Sequence, residues 1–297
     1  MIKYKCLYES KDELGESPVW VEEENSIYWV DIKRFLIHKL NIINFDKKIW
    51  EFDEPITCLA HYNKKIFIAG TKNGFKFINL ENKEVKFITD PEKNIANNRF
   101  NDGKCDSKGR FYAGTMNENN LEPTGCFYIL YGDLSFKKID GGYVITNGPA
   151  FCPNYKKIYL TDSANGKIFV SYINEDGTLS DKKIFISISP EQGKPDGMTV
   201  DEEGFLWVSL FGGSCVNRYN AQGKKVDEIM LPAKCITSCT FGGEDLSTLF
   251  ITSSRYKLKV EEKNKEPLAG SLFSAKLKVK GKKTNKFKLL KNNIFDN

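Results

Sequence analysis

Six short apolar triplets recur along the chain at nearly constant spacing, and few folds accommodate that. They are Ile27-Tyr28-Trp29, Ile66-Phe67-Ile68, Phe111-Tyr112-Ala113, Ile158-Tyr159-Leu160, Leu206-Trp207-Val208 and Leu249-Phe250-Ile251. Their middle residues lie 39, 45, 47, 48 and 43 positions apart. A strand-rich period of about 40–50 residues marks propeller blades, whereas helical repeats carry a 3.6-residue pattern. The local signals are those of strands. Each triplet is aromatic or β-branched, and turn clusters such as Asp106-Ser107-Lys108-Gly109 and Asp201-Glu202-Glu203-Gly204 precede several of them. A second alternating run follows each triplet, opening on Gly in five cases, as at Gly74, Gly125 and Gly270. Small and apolar segments, such as Ser17 to Trp20 and Gly148 to Phe151, come before. The expected fold is all-β, a six-bladed β-propeller with four-stranded antiparallel blades, in a single domain over residues 1–297. Closing the ring requires partners for the open edge of the last blade. The runs Tyr4 to Tyr8 and Phe287 to Leu290 are the candidates.

The repeat also has a phase. Eleven or twelve positions before the triplet centres stand Glu16, Ile56, Asn101, Asn147, Asp196 and Cys239. Equal phase in a ring means equal height and radius, so Glu16, Asn101, Asn147 and Asp196 should converge near the axis. Small or turn-forming residues follow them, as in Glu16-Ser17-Pro18, Asn147-Gly148-Pro149 and Asp196-Gly197. Such residues let backbones crowd together. Two carboxylates held close repel unless a proton or a cation lies between them. A divalent metal ion takes two carboxylates and an amide oxygen readily, and calcium, zinc, magnesium, manganese and ferrous iron all suit the set. Three protein ligands leave positions open for water and substrate.

Other chemistries fit poorly. The chain has only two histidines, His38 and His61, and neither shares the phase of the polar set. That argues against a Ser-His-Asp or Cys-His mechanism. Its eight cysteines are scattered, with Cys235 and Cys239 the only close pair, so reduced thiols in a cytoplasmic protein are expected. No apolar stretch is long enough to span a membrane, and the first residues lack the apolar core of a signal peptide. The net charge of +5 is concentrated in Lys276 to Lys291, read as a lysine-protected edge strand rather than a nucleic-acid surface. No nucleic-acid or membrane partner is expected, and the protein is expected to act as a monomer.

Antiparallel strand order places the loop after each triplet strand on the same face as the polar set. That loop is long in two repeats, from Gly114 to Thr124 and from Thr252 to Ala269. Both should overhang the site, bringing Glu118, Asn119 and Glu122 toward a polar substrate. Arg99 lies two residues before Asn101 and supplies a fixed cationic fork near the rim.

Taken in order, Leu14-Gly15-Glu16-Ser17-Pro18-Val19-Trp20, Asn97 to Lys104, Ala113-Gly114-Thr115-Met116, Thr146-Asn147-Gly148-Pro149, Pro195-Asp196-Gly197-Met198 and Phe241-Gly242-Gly243 resemble the SMP-30/gluconolactonase/regucalcin family. The likeness runs from about residue 5 to 275 and is nearest to the bacterial aldonolactonase branch, with its xylonolactonase-like and arabinolactonase-like members. It implies a metal-dependent sugar-lactone hydrolase. By position it implies Glu16, Asn147 and Asp196 as metal ligands, Asp196 as catalytic base, and Arg99 and Asn101 as substrate-binding residues. The family's acidic substrate contact after the Gly-Thr-Met motif falls on Glu118 or Glu122. The expected substrate is an aldono-1,4- or 1,5-lactone. The rival reading is a non-catalytic calcium-binding, regulatory or protein-binding propeller, because this fold serves both uses.

Overall fold

The computed structural model describes residues 2–119 and 122–290. Strand β1 (Tyr4–Tyr8) precedes the repeats. The first repeat forms β2 (Gly15–Val21), β3 (Ser26–Asp31), β4 (Leu36–Asn41) and β5 (Lys47–Glu51). The second forms β6 (Ile56–Asn63), β7 (Ile66–Thr71), β8 (Gly74–Asn79) and β9 (Val85–Thr89). The third forms β10 (Asn98–Cys105), β11 (Phe111–Asn117), β12 (Gly125–Leu130) and β13 (Phe136–Tyr143). The fourth forms β14 (Thr146–Phe151), β15 (Lys157–Asp162), β16 (Lys167–Ile173) and β17 (Leu179–Ser187). The fifth forms β18 (Lys194–Val200), β19 (Leu206–Phe211), β20 (Cys215–Tyr219) and β21 (Lys225–Met230). The sixth forms β22 (Cys235–Gly242), β23 (Thr248–Ser254) and β24 (Leu272–Lys276), with the short helix α1 (Val260–Lys265) inserted before its last strand.

The first four repeats are separate four-stranded antiparallel sheets in chain order. The fifth and sixth are joined into one sheet through a single pairing, Phe211 with Cys235. The sixth repeat supplies only three strands of its own. Strand β1 completes it, running antiparallel to β24 with Tyr4 opposite Ala275 and Cys6 opposite Phe273. Of the two terminal runs considered from the sequence, the N-terminal one closes the last sheet.

The first strands β2, β6, β10, β14, β18 and β22 contact one another in succession, and β22 returns to β2. That closed circuit brings residues from distant parts of the chain to a common axis. The apolar triplets occupy the second strands, where every residue of all six is buried except Ile66, which is partly so. Aromatic side chains pack several of the sheets on their neighbours. Phe75 meets Phe100 at 4.2 Å between the second and third units, and Trp207 meets Phe241 at 6.2 Å between the fifth and sixth. The outermost strands alternate and leave charged residues in solvent, as β5 and β9 do. All eight cysteines are unpaired, and seven are buried. No helix among the described residues is long and apolar enough to cross a membrane.

The lysine-rich segment does not form the expected edge strand. Strand β1 already occupies the edge of β24, so the chain beyond Lys276 has no sheet to join. Instead residues 277–290 cross the ends of the first strands as a strap. Phe287 donates its amide to His61 O at 2.8 Å, Lys288 to Gly109 O at 3.0 Å and Leu290 to Gly132 O at 2.9 Å. Phe287 is buried against Phe77 and Tyr62. The lysines have local partners, with Lys283 at 3.0 Å from Glu22 and Lys286 paired to Glu23. The strap thus covers the end of the ring opposite the starts of the first strands.

Candidate active site

Each first strand slips in its pairing with the second strand close to the common phase. The slips lie between Glu16 and Val19, Ile56 and Cys58, Phe100 and Gly103, Asn147 and Ala150, Pro195 and Met198, and Ile236 and Cys239. Such bulges bend the strand and re-aim a side chain. Here they explain the Pro and Gly residues noted in the sequence. Gly148 adopts φ +79°, a left-handed conformation that favours glycine. A Cβ on Gly197 would lie 2.1 Å from Ser238 Oγ, so the fifth and sixth first strands approach closely only because it has none. In the second and sixth repeats the slip falls on Thr57 and Thr237 rather than on Ile56 and Cys239. Counting back from the triplets ignores differences in hairpin length, so it misassigns those two positions. Thr237 spends its hydroxyl on Gly15 O at 2.5 Å, within the scaffold.

The four polar residues at this phase line one cavity of about 390 Å³, together with Arg99. Glu16, Asn147 and Asp196 are only 6%, 3% and 7% exposed. The Glu16 and Asp196 carboxyls lie close enough to interact directly. Asn101 Nδ2 donates to Asn147 Oδ1 at 3.1 Å and to Thr146 O at 2.7 Å. Asn147 Nδ2 donates to Ser163 Oγ at 2.8 Å, which orients the amide so that its oxygen turns toward Asn101. Arg99 Nη1 donates to Asn101 Oδ1 at 2.8 Å and Phe100 O at 2.7 Å, leaving the rest of its fork near the cavity.

The electrostatics are those of an acid cluster out of water. Burial, and then the nearby Asp102 charge, push Glu16 up to about 8. Burial, then Glu16 and Asp102, raise Asp196 well above the ordinary carboxylate range. In a closely coupled buried pair one proton is shared between the two groups. This donor set fits a hard divalent cation. Two carboxylates and an oriented amide oxygen match the oxygen ligands that such ions take, and a cation would relieve the repulsion that the shared proton now relieves. Among the described residues no three His, Cys, Asp or Glu side chains are grouped to hold a metal, and the carboxamide oxygen of Asn147 stands beside the two carboxylates as a further oxygen donor.

The overhanging insertions reach the cavity as their strand order requires. Glu118 from the third repeat and Tyr256 and Lys257 from the sixth line it. Glu118 accepts from Lys72 at 3.0 Å and lies 3.9 Å from Arg99 Nε. Asn119 and Glu122 are exposed and are not among the lining residues. Asn120 and Leu121, also part of that insertion, lie outside the described residues. Neither histidine lines the cavity. His38 sits 3.1 Å from Asp12, and His61 Nε2 lies 3.0 Å from Lys64 O.

Three polar residues of the site escaped the sequence reading. Asp102 is buried, accepts the Gly103 amide at 2.7 Å and the Gly148 amide at 3.0 Å, and so holds the bulge that carries Asn147. Burial pushes it up to about 6, against the pull of Lys104 and the two amides. Lys104 donates to Met198 O. Ser163 orients Asn147. In the sequence Asp102-Gly103 reads as an ordinary turn pair; only the pairing of β14 with β15 signals Ser163, two residues past Thr161, the partner of Asn147.

Residues 14–255 match the sequence profile of the SMP-30/Gluconolactonase/LRE-like region. The chain is 37% identical over 273 residues to "Putative sugar lactone lactonase YvrE" of Bacillus subtilis, covering 90% of this chain and 92% of that protein. It is 33% identical over 288 residues to regucalcin of Oryctolagus cuniculus, covering 94% and 96%. Among solved structures it resembles a calcium-binding protein, regucalcin, from Agrobacterium tumefaciens, with a TM-score of 0.93 at 23% identity over 97% of this chain and 98% of that one. At that identity the likeness speaks for the fold.

Proposed function

Because the chain belongs to the SMP-30/gluconolactonase/regucalcin-like family, we propose that it is a sugar-lactone hydrolase, opening an aldono-1,4- or 1,5-lactone to the aldonic acid. We read it as one six-bladed β-propeller domain whose axis carries the active site. Its eight unpaired thiols suit a cytoplasmic setting. The observation that carries the proposal is the meeting of Glu16, Asn147 and Asp196, from three different sheets, beside the Arg99–Asn101 pair in one cavity.

Glu16, Asn147 and Asp196 are the residues that would hold a divalent cation. When bound, such an ion supplies Lewis acidity toward a carbonyl oxygen and lowers the pKa of water. The remaining work falls to the chain. Arg99 and Asn101 hold sugar hydroxyls and fix the ring's orientation, which converts binding into a reactive geometry. Asp196, as carboxylate, takes a proton from the attacking water as its oxygen bonds to the carbonyl carbon. The ring C–O bond then breaks, and the ring oxygen leaves as a hydroxyl once it receives a proton. Arg99 steadies negative charge on the carbonyl oxygen during attack. Leu14, Ile145 and Phe211 add apolar surface to the cavity lining.

The test is acid release, followed by titration at constant pH, from a panel of pentono- and hexonolactones. Chelated protein should be inactive and recover on adding a divalent ion. Asp196→Asn should lose about 10²–10⁴-fold in kcat with an unchanged melting curve. Near-normal turnover by that variant removes Asp196 from the chemistry. Saturable metal binding without acid release from any lactone would favour the second reading, a calcium-binding module, which the calcium-binding Agrobacterium regucalcin keeps in view.

A further inference from the structure

The cavity carries more positive charge than the proposed chemistry uses. Lys33, Lys194 and Lys257 line it in addition to Arg99. They come from three places on the ring: the turn after β3, the start of β18, and the insertion between β23 and β24. All three are exposed. Among the described residues none of them pairs with a carboxylate, although neighbouring lysines do, as Lys72 does with Glu118 and Lys263 with Glu13. Lys33 Nζ lies 4.9 Å from the centre of the Tyr256 ring and Lys257 Nζ lies 5.2 Å from it. Two ammonium groups are therefore gathered around one aromatic ring at the cavity mouth.

Three carboxylates line the same cavity: Glu16, Asp196 and Glu118. A divalent cation held by Glu16 and Asp196 would offset the first two. Glu118 is already matched by Lys72 and Arg99. That leaves the three lysines uncompensated above a neutralised floor. Like charges drawn together at a concave mouth repel one another, and an anion bridging them turns that repulsion into binding. Neutral sugar hydroxyls offer no such compensation.

We infer that the natural lactone carries an anionic group, a phosphate or a carboxylate, at the end of the sugar remote from the lactone carbonyl. Lys33, Lys194 and Lys257 hold that group, while the ring lies between Arg99–Asn101 and the Glu16–Asp196 pair. The inference rests on the lactone-hydrolase reading for its substrate but not for its anion site. Tyr256 supplies the surface against which two of the lysines are arrayed. Attraction of this kind acts on encounter as well as on affinity, and salt screens it.

The experiment compares 6-phosphoglucono-1,5-lactone and glucaro-1,4-lactone with neutral D-glucono-1,5-lactone on metal-loaded protein. We expect kcat/KM for at least one charged lactone to exceed that for the neutral one by about tenfold or more at low salt. The ratio should fall toward one in about 0.5 M salt. It should fall likewise in the triple variant K33A/K194A/K257A and persist in K33R/K194R/K257R, which keeps the charges. The probe with the larger ratio tells phosphate from carboxylate. Calorimetry with 6-phosphogluconate and gluconate reads the anion site without turnover. If neither lactone is opened yet 6-phosphogluconate binds about tenfold more tightly than gluconate, the hydrolase reading fails and the anion site stands. If charged and neutral lactones are opened equally, and both acids bind equally, the anion site is overturned and the hydrolase reading survives.

Discussion

Asp102 shows how a residue that need not touch substrate can govern the site. Its two carboxylate oxygens accept the amides of Gly103 and Gly148, and the second of these fixes the bulge that presents Asn147. Asp102→Ala leaves two buried amides without partners, at about 1–3 kcal/mol each. It also releases Asn147 from its setting. We expect a lower melting temperature and divalent-metal affinity weakened by about 10–100-fold, the range for partners that orient a ligand. Asp102→Asn keeps one acceptor oxygen and should fall between. Calorimetric metal titration of the two variants checks this; unchanged affinity in Asp102→Ala would remove it from the positioning of Asn147. The convergence of Glu16, Asn147 and Asp196 is easier to see in the sequence, because their common phase needs only counting. Asp102 has no such marker. It follows Asn101 and precedes Gly103, and nothing in an Asn-Asp-Gly run separates a turn from a buried brace.

At the level of elements, neighbouring sheets are tied by polar contacts as well as by aromatic packing. Glu24, in the turn between β2 and β3, accepts from Tyr28 Oη at 2.8 Å, pairs with Lys39 of its own sheet, and lies 2.5 Å from Lys65 of the next. Burial raises its pKa, but these three partners outweigh that and bring it down to about 2. A carboxylate with a depressed folded-state pKa stabilises the fold above its ordinary value of about 4.5, and that stabilisation is lost as pH falls toward 2. The melting-temperature gap between wild type and Glu24→Gln should therefore be largest near neutral pH and shrink between pH 4.5 and 2. A gap that stays constant across that window would show that the ionised carboxylate contributes nothing there. The elements themselves were legible, since turn clusters and alternating runs place the strands, and the two long loops arise where the sequence puts them. The strap was not. A lysine-alternating run looks like a protected edge, and only the occupation of that edge by β1 sends residues 277–290 across the ring instead.

For the whole molecule, the circular arrangement is what makes a site out of separated residues. Glu16, Asn147 and Asp196 lie more than a hundred positions apart at the extremes, yet the succession of first strands from β2 to β22 and back brings them to one cavity. Periodicity made the ring readable without any contact information. It could not reveal the mouth: Lys33, Lys194 and Lys257 share no phase, and their grouping depends on loop lengths and on the placement of Tyr256. Glu16, Asn147 and Asp196 are proposed to hold a single divalent ion between them. Crystals grown with manganese and measured for its anomalous scattering test it directly. One strong peak is expected within about 2–2.6 Å of a carboxylate oxygen of Glu16, Asn147 Oδ1 and a carboxylate oxygen of Asp196. An active, manganese-dependent protein whose anomalous peak lies elsewhere would contradict it.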